Sequence, residues 1–145
     1  MNKNHQPQSG QLSGHVILTG ATGLVGGAVL TDLLSRTDVD VTCLVRADDA
    51  AGARQRLEPS LGTWMPPRAR EDAAHRVHAV PADIACPGLA MDPHVRTELT
   101  RRATHIVHCA ASIRFDEPLA QARAVNVAGA ARVLELAEEV HTAGA

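Results

Sequence analysis

Short apolar runs alternate with longer amphipathic stretches along most of this chain. Four short runs predict strands, and the second of them is continuously apolar and rich in β-branched residues, as expected of a central parallel strand buried on both faces. These runs span residues 16–19, 41–45, 76–80 and 105–109. Between and after them, apolar residues recur at helical spacing. Helices are expected over residues 24–35, after a cap at Asp48, from the Asp92-Pro93 start, and from Pro118 to about Val140.

This alternation is typical of a Rossmann-type, doubly wound α/β fold with a parallel sheet. Right-handed crossovers, together with a glycine-rich turn after the first strand, predict the strand order 3-2-1-4. The last helix should lead to a fifth strand, but the sequence stops at Ala145. We therefore expect a sheet truncated after about four strands. Residues 1–13 are polar and predict a flexible leader. Residues 14–145 then form the domain, incomplete at its C-terminal side.

The same pattern assigns buried faces to the helices. Val25, Val29 and Leu33 predict the buried face of the first helix. Leu119, Asn126 and Val133 follow one another at intervals of seven residues, so they predict one buried stripe on the last helix. Three prolines and several charges between residues 59 and 75 predict an exposed connection.

Composition narrows the classes of partner. The chain has 145 residues, a formal net charge of −2, 45% hydrophobic residues and 21% charged residues. Such a balance is typical of a globular domain and gives no electrostatic basis for binding nucleic acid or an anionic membrane. We expect no secretory signal and no membrane span, since no apolar run has the required length. The three cysteines and eight histidines lack metal-type spacing, which predicts no metal site, reduced thiols and a cytoplasmic location.

The most informative motif, Thr-Gly-Ala-Thr-Gly-Leu-Val-Gly at residues 19–26, lies between the first strand and the first helix. Gly20 allows a sharp exit from the strand, Gly23 has no side chain to block a pyrophosphate, and Gly26 allows close packing of the helix. The N–H groups and the dipole of the first helical turn attract negative charge. The motif therefore predicts a dinucleotide site, with the spacing G-x-x-G-x-x-G in place of the standard G-x-G-x-x-G.

Arg46 directly follows the second strand, where dinucleotide folds place the group that contacts the adenosine ribose. An acid at this position accepts from the 2′-hydroxyl of NAD, whereas a guanidinium favours the 2′-phosphate of NADP. No acid lies between the end of this strand and Asp48, so the sequence favours NADP(H). A surface arginine at a strand end is the alternative.

Two further strand ends carry candidate groups. Asp83 can accept from the adenine amino group while the Ile84 N–H reaches a ring nitrogen, although an aspartate here can instead serve a local turn. Ala110 and Ala111 are small where a nicotinamide ribose would lie against the backbone. Because the carboxyl ends of parallel strands share one edge of the sheet, these groups are expected to converge there.

Asn126 places an amide on the predicted buried stripe of the last helix. A buried amide needs hydrogen-bond partners. It either pins the backbone of the fourth strand or, in addition, holds a water near the reaction centre.

These residues, together with the stretch His-Cys-Ala-Ala-Ser-Ile-Arg-Phe-Asp-Glu-Pro-Leu at 108–119, give the chain a family resemblance. It resembles the thioester reductases, also called male-sterility-type NAD(P)-binding domains, of the extended short-chain dehydrogenase/reductase superfamily. The Phe-Asp-Glu-Pro-Leu block favours the fatty acyl-CoA reductase side. The resemblance covers residues 14–140 and implies NADPH-dependent reduction of an acyl thioester, on CoA or a carrier protein, to an aldehyde or alcohol. It also implies that Thr22, Leu24 and Val25 join the glycines around the pyrophosphate, and that Asn126 belongs to the catalytic set.

The central catalytic pair of that superfamily is missing. Hydride transfer to a carbonyl leaves an alkoxide that must be protonated, and the resemblance implies a tyrosine for this step, with a lysine four residues later. This sequence has no tyrosine, and its only lysine is Lys3. We therefore expect the NADPH-binding half of a reductase, inactive alone, whose reading frame continues into a fifth strand and a Y-x-x-x-K motif. The alternatives are a non-catalytic NADP(H)-binding or sensing module, and a fragment of a nucleotide-sugar epimerase or dehydratase.

Overall fold

The computed structural model describes residues 12–144, and its centre is a four-stranded parallel sheet. The strands are β1 His15–Thr19, β2 Asp40–Val45, β3 Val77–Pro81 and β4 His105–His108. Their order is β3-β2-β1-β4, which confirms the predicted arrangement. Ile17 of β1 is level with Thr42 of β2 on one side and with Ile106 of β4 on the other. Nearly all of the predicted leader lies outside the described residues.

Six α-helices and three other helical segments connect and flank these strands in residues 12–144. The α-helices are α1 Leu24–Arg36, α2 Ala50–Trp64, α3 Pro67–Ala73, α4 Pro93–Arg102, α5 Leu119–Arg123 and α6 Ala130–Gly144. Two 3₁₀ turns span Ala74–Arg76 and Pro87–Ala90, and a π-helical segment, Ala124–Gly129, joins α5 to α6. Asp92 caps α4 with Pro93 in its first turn, as predicted. Helix α2 is capped by Asp49 and not by the predicted Asp48.

The core has two layers of apolar side chains, one on each face of the sheet. The first layer packs α1 and α2 on the sheet and includes Val16, Leu18, Leu30, Leu34, Val41, Cys43 and Leu57. The second layer packs α4 and α6 on the opposite face and includes Ile17, Leu44, Leu89, Leu99, Val133 and Leu136. Because alternate residues of a strand point to opposite faces, the continuous apolar runs of β1 and β2 supply both layers.

Helix α1 buries a different face from the predicted one. Val25 is 63% exposed, and Val29 and Leu33 are only half-buried. The buried residues of this helix are Gly26, Gly27, Leu30 and Leu34. A side chain added at Gly27 would meet the Trp64 indole at 2.8 Å. Close packing of two glycines, more than the distribution of large apolar side chains, sets the inner face of α1.

The predicted exposed connection at residues 59–75 is largely helical. Helix α2 continues through Pro59, and α3 begins at Pro67. A proline inside a helix removes one backbone hydrogen bond. Leu57 and Met65, on either side of Pro59, are nonetheless buried in the first core layer. Their burial stabilises the helix enough to offset that loss.

The π-helical segment changes the face that the last helix presents to the core. A π turn contains one more residue than an α turn, and one residue corresponds to a rotation of about 100°. Val133 and Leu136 are buried as predicted, but Leu119 is 72% exposed and Asn126 is exposed as well. The prediction of a single buried stripe at seven-residue intervals is therefore wrong for the part before the π turn.

Two histidines, His15 on β1 and His78 on β3, lie on one face of the sheet with Thr42 of β2 beside them. The rings of His15 and His78 are stacked with 6.3 Å between their centroids, and His15 Nε2 is 2.7 Å from the Thr42 hydroxyl. Burial lowers the pKa of His15, and the charge of Arg102 lowers it further. The folded protein therefore favours the neutral imidazole.

We expect the protein to lose stability on mild acidification because of this site. The unfolded chain binds a proton on His15 more readily than the folded chain, so the stabilisation is complete above the ordinary histidine pKa and is lost as pH falls through the folded value. Urea unfolding from about pH 7.5 to about pH 5.5 should show this decline. A His15→Gln variant should have a flatter profile, whereas His94→Gln, at an exposed position on α4, should keep the wild-type slope. Equal slopes in the wild type and His15→Gln would contradict the assignment.

Candidate functional site

A cleft of about 410 Å³ lies at the carboxyl ends of the strands. Its lining comes from the connections after all four strands and from two helical segments. The lining residues are Gly20, Thr22, Gly23, Leu44, Val45, Arg46, Arg56, Ala82, Asp83, Ile84, Cys109, Ala110, Ala111, Ser112, Ile113, Arg114, Glu117 and Val125. In open parallel sheets, ligands bind at this edge, where the connections on either side of the first strand diverge.

A second cavity of about 290 Å³ lies between α2, α3 and β3. Leu57, Leu61 and Met65 contribute to its apolar wall, and Arg54 and Arg70 also line it. None of the residues that the sequence predicts for ligand contact is among its lining residues. The larger cleft is therefore the candidate site.

Two positions in the turn after β1 have to be glycine, because backbone atoms of other residues lie too close for a side chain. Gly20 has φ +76°, and a side chain there would lie 2.6 Å from the backbone nitrogen of Ala110. A side chain at Gly26 would overlap the carbonyl oxygen of Gly20. At Gly23, by contrast, the nearest atom would be 3.4 Å away, an ordinary contact, and this residue lines the cleft. Gly20 and Gly26 thus shape the turn, while Gly23 keeps part of the cleft wall open.

Helix α1 presents an uncapped amino end beside this turn. Gly23 is its N-cap residue, and no side chain caps the helix. The first N–H groups of a helix lack intrahelical partners and carry partial positive charge. The side chains of Leu24 and Val25 are exposed and, like Gly26, are not among the residues that line the cleft. Leu24, Val25 and Gly26 can therefore contact an anion only through their backbone N–H groups.

Thr19, the last residue of β1, joins β1 to the chain after β4 beside the cleft. Its hydroxyl is 2.6 Å from Nδ1 of His108 and accepts from the N–H groups of Cys109 and Ala110 at 3.2 Å. Burial lowers the pKa of His108, which keeps its imidazole neutral at pH 7. Thr19 and His108 begin the two motifs quoted from the sequence, which assigned neither of them a role. Their adjacency follows from the β1–β4 register, in which the two residues are paired.

Three arginines line the cleft, and one of them, Arg114 in the loop after β4, is paired with Asp116 at 3.6 Å. Arg46 follows β2, as predicted, and Arg56 projects from α2. Both residues are exposed, and within the described part of the chain neither forms a salt bridge. Arg56 was missed by sequence reasoning. The available clue was that the helix after β2 begins at the same sheet edge, so its first turns pass the cleft.

The loops after β3 and β4 bring the remaining predicted residues to the cleft. Asp83 and Ile84 line one wall, and Ala110 and Ala111 line the wall next to β4. Asp83 Oδ1 accepts from the Ala85 N–H at 2.8 Å, so the aspartate does serve its local turn. This contact uses one carboxylate oxygen, and the group has a second. The turn role and the position at the cleft are therefore compatible.

Asn126 holds the loop after β4 through its amide. Asn126 Oδ1 accepts from the Ser112 N–H at 2.8 Å, and its Nδ2 donates to the Ser112 carbonyl at 2.9 Å. The amide thus pins backbone, one of the two roles considered, although on the loop and not within β4. The Ser112 hydroxyl in turn donates to the Glu117 carboxylate. Ser112 and Glu117 both line the cleft, and sequence reasoning had not assigned either of them to the site.

Two other kinds of feature are absent from residues 12–144. No group of three or more histidine, cysteine, aspartate or glutamate side chains is arranged to hold a metal ion. No helix there has both the length and the apolar character needed to cross a bilayer.

Comparison with known proteins places the chain in a family. The family model described as male sterility protein matches residues 18–144. The isonitrile lipopeptide synthase of Streptomyces coeruleorubidus is 37% identical over 131 residues, which is 90% of this chain and 9% of that protein. The fatty acyl-CoA reductase wat of Drosophila melanogaster is 30% identical over 129 residues, 86% of this chain and 25% of that protein.

A solved structure agrees with these sequence matches. The terminal R domain from the myxalamid PKS-NRPS biosynthetic pathway superposes with a TM-score of 0.77 and 32% identity, over 90% of this chain and 33% of that domain. This chain therefore spans about a third of that structure and a smaller share of the two relatives. Since the family model matches well over half of its residues, the chain belongs to the male sterility family of NAD-binding domains, whose members include thioester reductase R domains and fatty acyl-CoA reductases.

Proposed function

We propose that this chain is the NADPH-binding part of an oxidoreductase that reduces acyl thioesters. The observation that carries the proposal is that Arg46 and Arg56, which form no salt bridge within residues 12–144, lie at the same cleft as the glycine turn. A guanidinium binds a phosphate through two parallel N–H groups. The ribose hydroxyl of NAD offers these cations no equivalent contact, so the cleft favours the 2′-phosphate of NADPH.

The order of groups around the cleft supports one orientation of the cofactor. The pyrophosphate would lie against Gly20, Thr22, Gly23 and the N–H groups of Leu24, Val25 and Gly26. The adenine would lie at Asp83 and Ile84, and the nicotinamide side at Ala110 and Ala111. A volume of about 410 Å³ lies within the usual range for ligand pockets. When bound, NADPH supplies the hydride, and the residues of this chain hold and orient it.

The substrate class is proposed from kinship. Relatives include a fatty acyl-CoA reductase and an isonitrile lipopeptide synthase, and a matching structure is a terminal R domain. We therefore propose an acyl thioester on CoA or on a carrier protein, reduced to an aldehyde or an alcohol. Cys43, Cys86 and Cys109 are all free, which agrees with a reducing, cytoplasmic setting.

We further propose that these 145 residues do not catalyse the reduction by themselves. The alkoxide formed by hydride transfer needs a proton donor. The sequence has no tyrosine, and Lys3 is its only lysine. A non-catalytic NADP(H)-binding module is the second candidate, and the same missing residues favour it. The two candidates differ in the DNA beyond the codon for Ala145, where a reductase requires a further strand and Y-x-x-x-K.

Nucleotide binding can be tested on the purified chain by titration with NADPH and with NADH. We expect saturable NADPH binding that is at least about thirtyfold tighter than NADH binding, because one charge-assisted contact with a phosphate contributes about that factor. Cys109 lines the cleft and Cys43 is buried, with a pKa raised to about 12. NADPH should therefore slow alkylation of Cys109, while Cys43 stays unreactive in the folded protein.

Two results would overturn the proposal. Absence of saturable binding to either nucleotide would remove the cofactor assignment altogether. Preference for NADH would retain a dinucleotide site but reject the role of Arg46 and Arg56. Cys86 provides the internal control, because it lies outside the cleft lining and its alkylation should be unaffected by nucleotide.

A further inference from the structure

One peptide unit in the loop after β3 is held by side chains at both of its polar ends. Arg132 Nη1, in the first turn of α6, donates to the Ile84 carbonyl at 3.0 Å. The N–H of Ala85, which belongs to the same peptide bond, donates to Asp83 Oδ1 at 2.8 Å. This peptide therefore has little freedom to rotate, and its orientation depends on Arg132 as well as on Asp83.

The last helix also supports this loop through close packing. Gly129 is buried at the end of the π-helical segment. A side chain there would lie 3.1 Å from Ile84 Cδ1 and 3.3 Å from the Ile84 carbonyl oxygen. The absence of a side chain at Gly129 lets the helix approach Ile84 closely, which brings Arg132 within hydrogen-bond distance of that carbonyl.

The loop residues and the arginine that holds them differ in their position relative to the cleft. Asp83 and Ile84 line it, whereas Arg132 does not. Arg132 therefore acts on a ligand only through the loop that it holds. The carboxylate of Asp83 has one oxygen committed to Ala85 and one left for an external donor.

We propose that Arg132 is a positioning residue that makes the cleft selective for a 6-amino purine over a 6-oxo purine. This inference depends on the proposed function, in which Asp83 and Ile84 receive the adenine of NADPH. Adenine donates from its 6-amino group, which matches the Asp83 carboxylate. It accepts at N1, which matches the backbone N–H of Ile84. Hypoxanthine has the opposite polarity at both atoms, so it places a carbonyl oxygen against Asp83. A site whose hydrogen-bonding groups are held in place for the adenine pattern of donors and acceptors rejects the hypoxanthine pattern.

The chain offers a matched control for Arg132 on the far side of the same loop. Arg96 of α4 donates to the Gly88 carbonyl at 2.9 Å and forms a two-point ion pair with Glu139, with distances of 2.9 and 2.8 Å. The ion pair lowers the pKa of Glu139 and raises that of Arg96. Arg96 thus also joins this loop to α6, but it forms a hydrogen bond with neither Asp83 nor Ile84.

The test is a pair of titrations on the full chain, with NADPH and with reduced nicotinamide hypoxanthine dinucleotide phosphate. We expect the wild type to prefer NADPH by at least about tenfold, equivalent to one well-placed hydrogen bond. In Arg132→Met this ratio should fall towards one, and in Arg132→Lys, which retains a single donor, it should be intermediate. Arg96→Met should lower thermal stability and keep the wild-type ratio. Each variant is compared at temperatures where circular dichroism shows it to be folded.

The possible outcomes separate this inference from the proposed function. A wild-type ratio near one with tight NADPH binding overturns the inference and leaves the function standing. An unchanged ratio in Arg132→Met and Arg132→Lys also overturns it, because a purely structural arginine would alter stability alone. Failure of the wild type to bind either nucleotide rejects both. Should Arg132→Met fail to fold, the ratio in Arg132→Lys relative to Arg96→Met decides.

Discussion

Replacing Gly26 with alanine is expected to destabilise the fold and to abolish nucleotide binding. The added methyl group would overlap the carbonyl oxygen of Gly20, a backbone atom in the turn itself. Gly20 is already restricted by its positive φ and by the nearby nitrogen of Ala110, so the turn cannot move aside at low cost. We expect a loss of about 3 kcal/mol in the free energy of unfolding, measured in urea. NADPH titration should show no saturation.

Gly23→Ala is the matched control for this substitution. Its methyl group would lie 3.4 Å from the same carbonyl oxygen, an ordinary contact, so stability should change by less than about 1 kcal/mol. Gly23 lines the cleft, and its methyl group should still weaken NADPH binding. A Gly26→Ala protein as stable as the wild type would show that the turn is not packed as described.

Replacing Arg46 with alanine is expected to weaken NADPH binding about thirtyfold and to leave NADH binding unchanged. The loss corresponds to about 2 kcal/mol, as expected for one charge-assisted contact with a phosphate. Titration of both nucleotides against the same variant separates this effect from unfolding, since only NADPH carries the 2′-phosphate. Arg56→Ala should act in the same direction.

Arg54→Ala provides the comparison on the same helix. Arg54 lies two positions from Arg56 but lines the second cavity and not the cleft. The Arg54→Ala substitution should therefore leave the affinities for NADPH and NADH unaltered. Equal losses of NADPH and NADH affinity in Arg46→Ala would mean that this arginine contacts a part that the two cofactors share.

The strands and their order were predictable from the sequence because β1 and β2 are buried on both faces. Val16, Ile17 and Leu18 are all fully buried. Burial on both faces of the sheet requires consecutive apolar residues, and such a short run is typical of a central strand. Once four strand-like runs alternate with helices, the handedness of the crossovers leaves few topologies. The 3-2-1-4 order followed from these constraints.

The faces of the helices were less predictable, for reasons specific to each helix. In α1 the contact surface begins with Gly26 and Gly27, which a count of apolar side chains does not detect. In the last helix the π-helical segment shifts the phase, so Asn126 leaves the stripe that Val133 and Leu136 occupy. Neither the π turn nor the helix that continues through Pro59 has a recognisable sequence pattern, because both depend on tertiary packing.

Part of the candidate cleft was predictable because its residues lie at strand ends. Arg46, Asp83 and Ala110 follow β2, β3 and β4, and a parallel sheet brings such positions to one edge. Arg56 comes from the middle of a helix, so its position depends on how α2 packs. The hydrogen bond between Thr19 and His108 depends on the register of two strands that are far apart in the chain.

That distance along the chain bears on how the protein folds. The contact between His15 and Thr42 closes a loop of 27 positions, whereas the contact between Thr19 and His108 closes one of 89. Closing the longer loop costs more chain entropy, so the β1–α1–β2 unit can form while β4 is still free, and one wall of the cleft arrives last. A nucleotide that contacts both walls of the cleft then does not bind the partly folded chain. It would slow unfolding without accelerating folding.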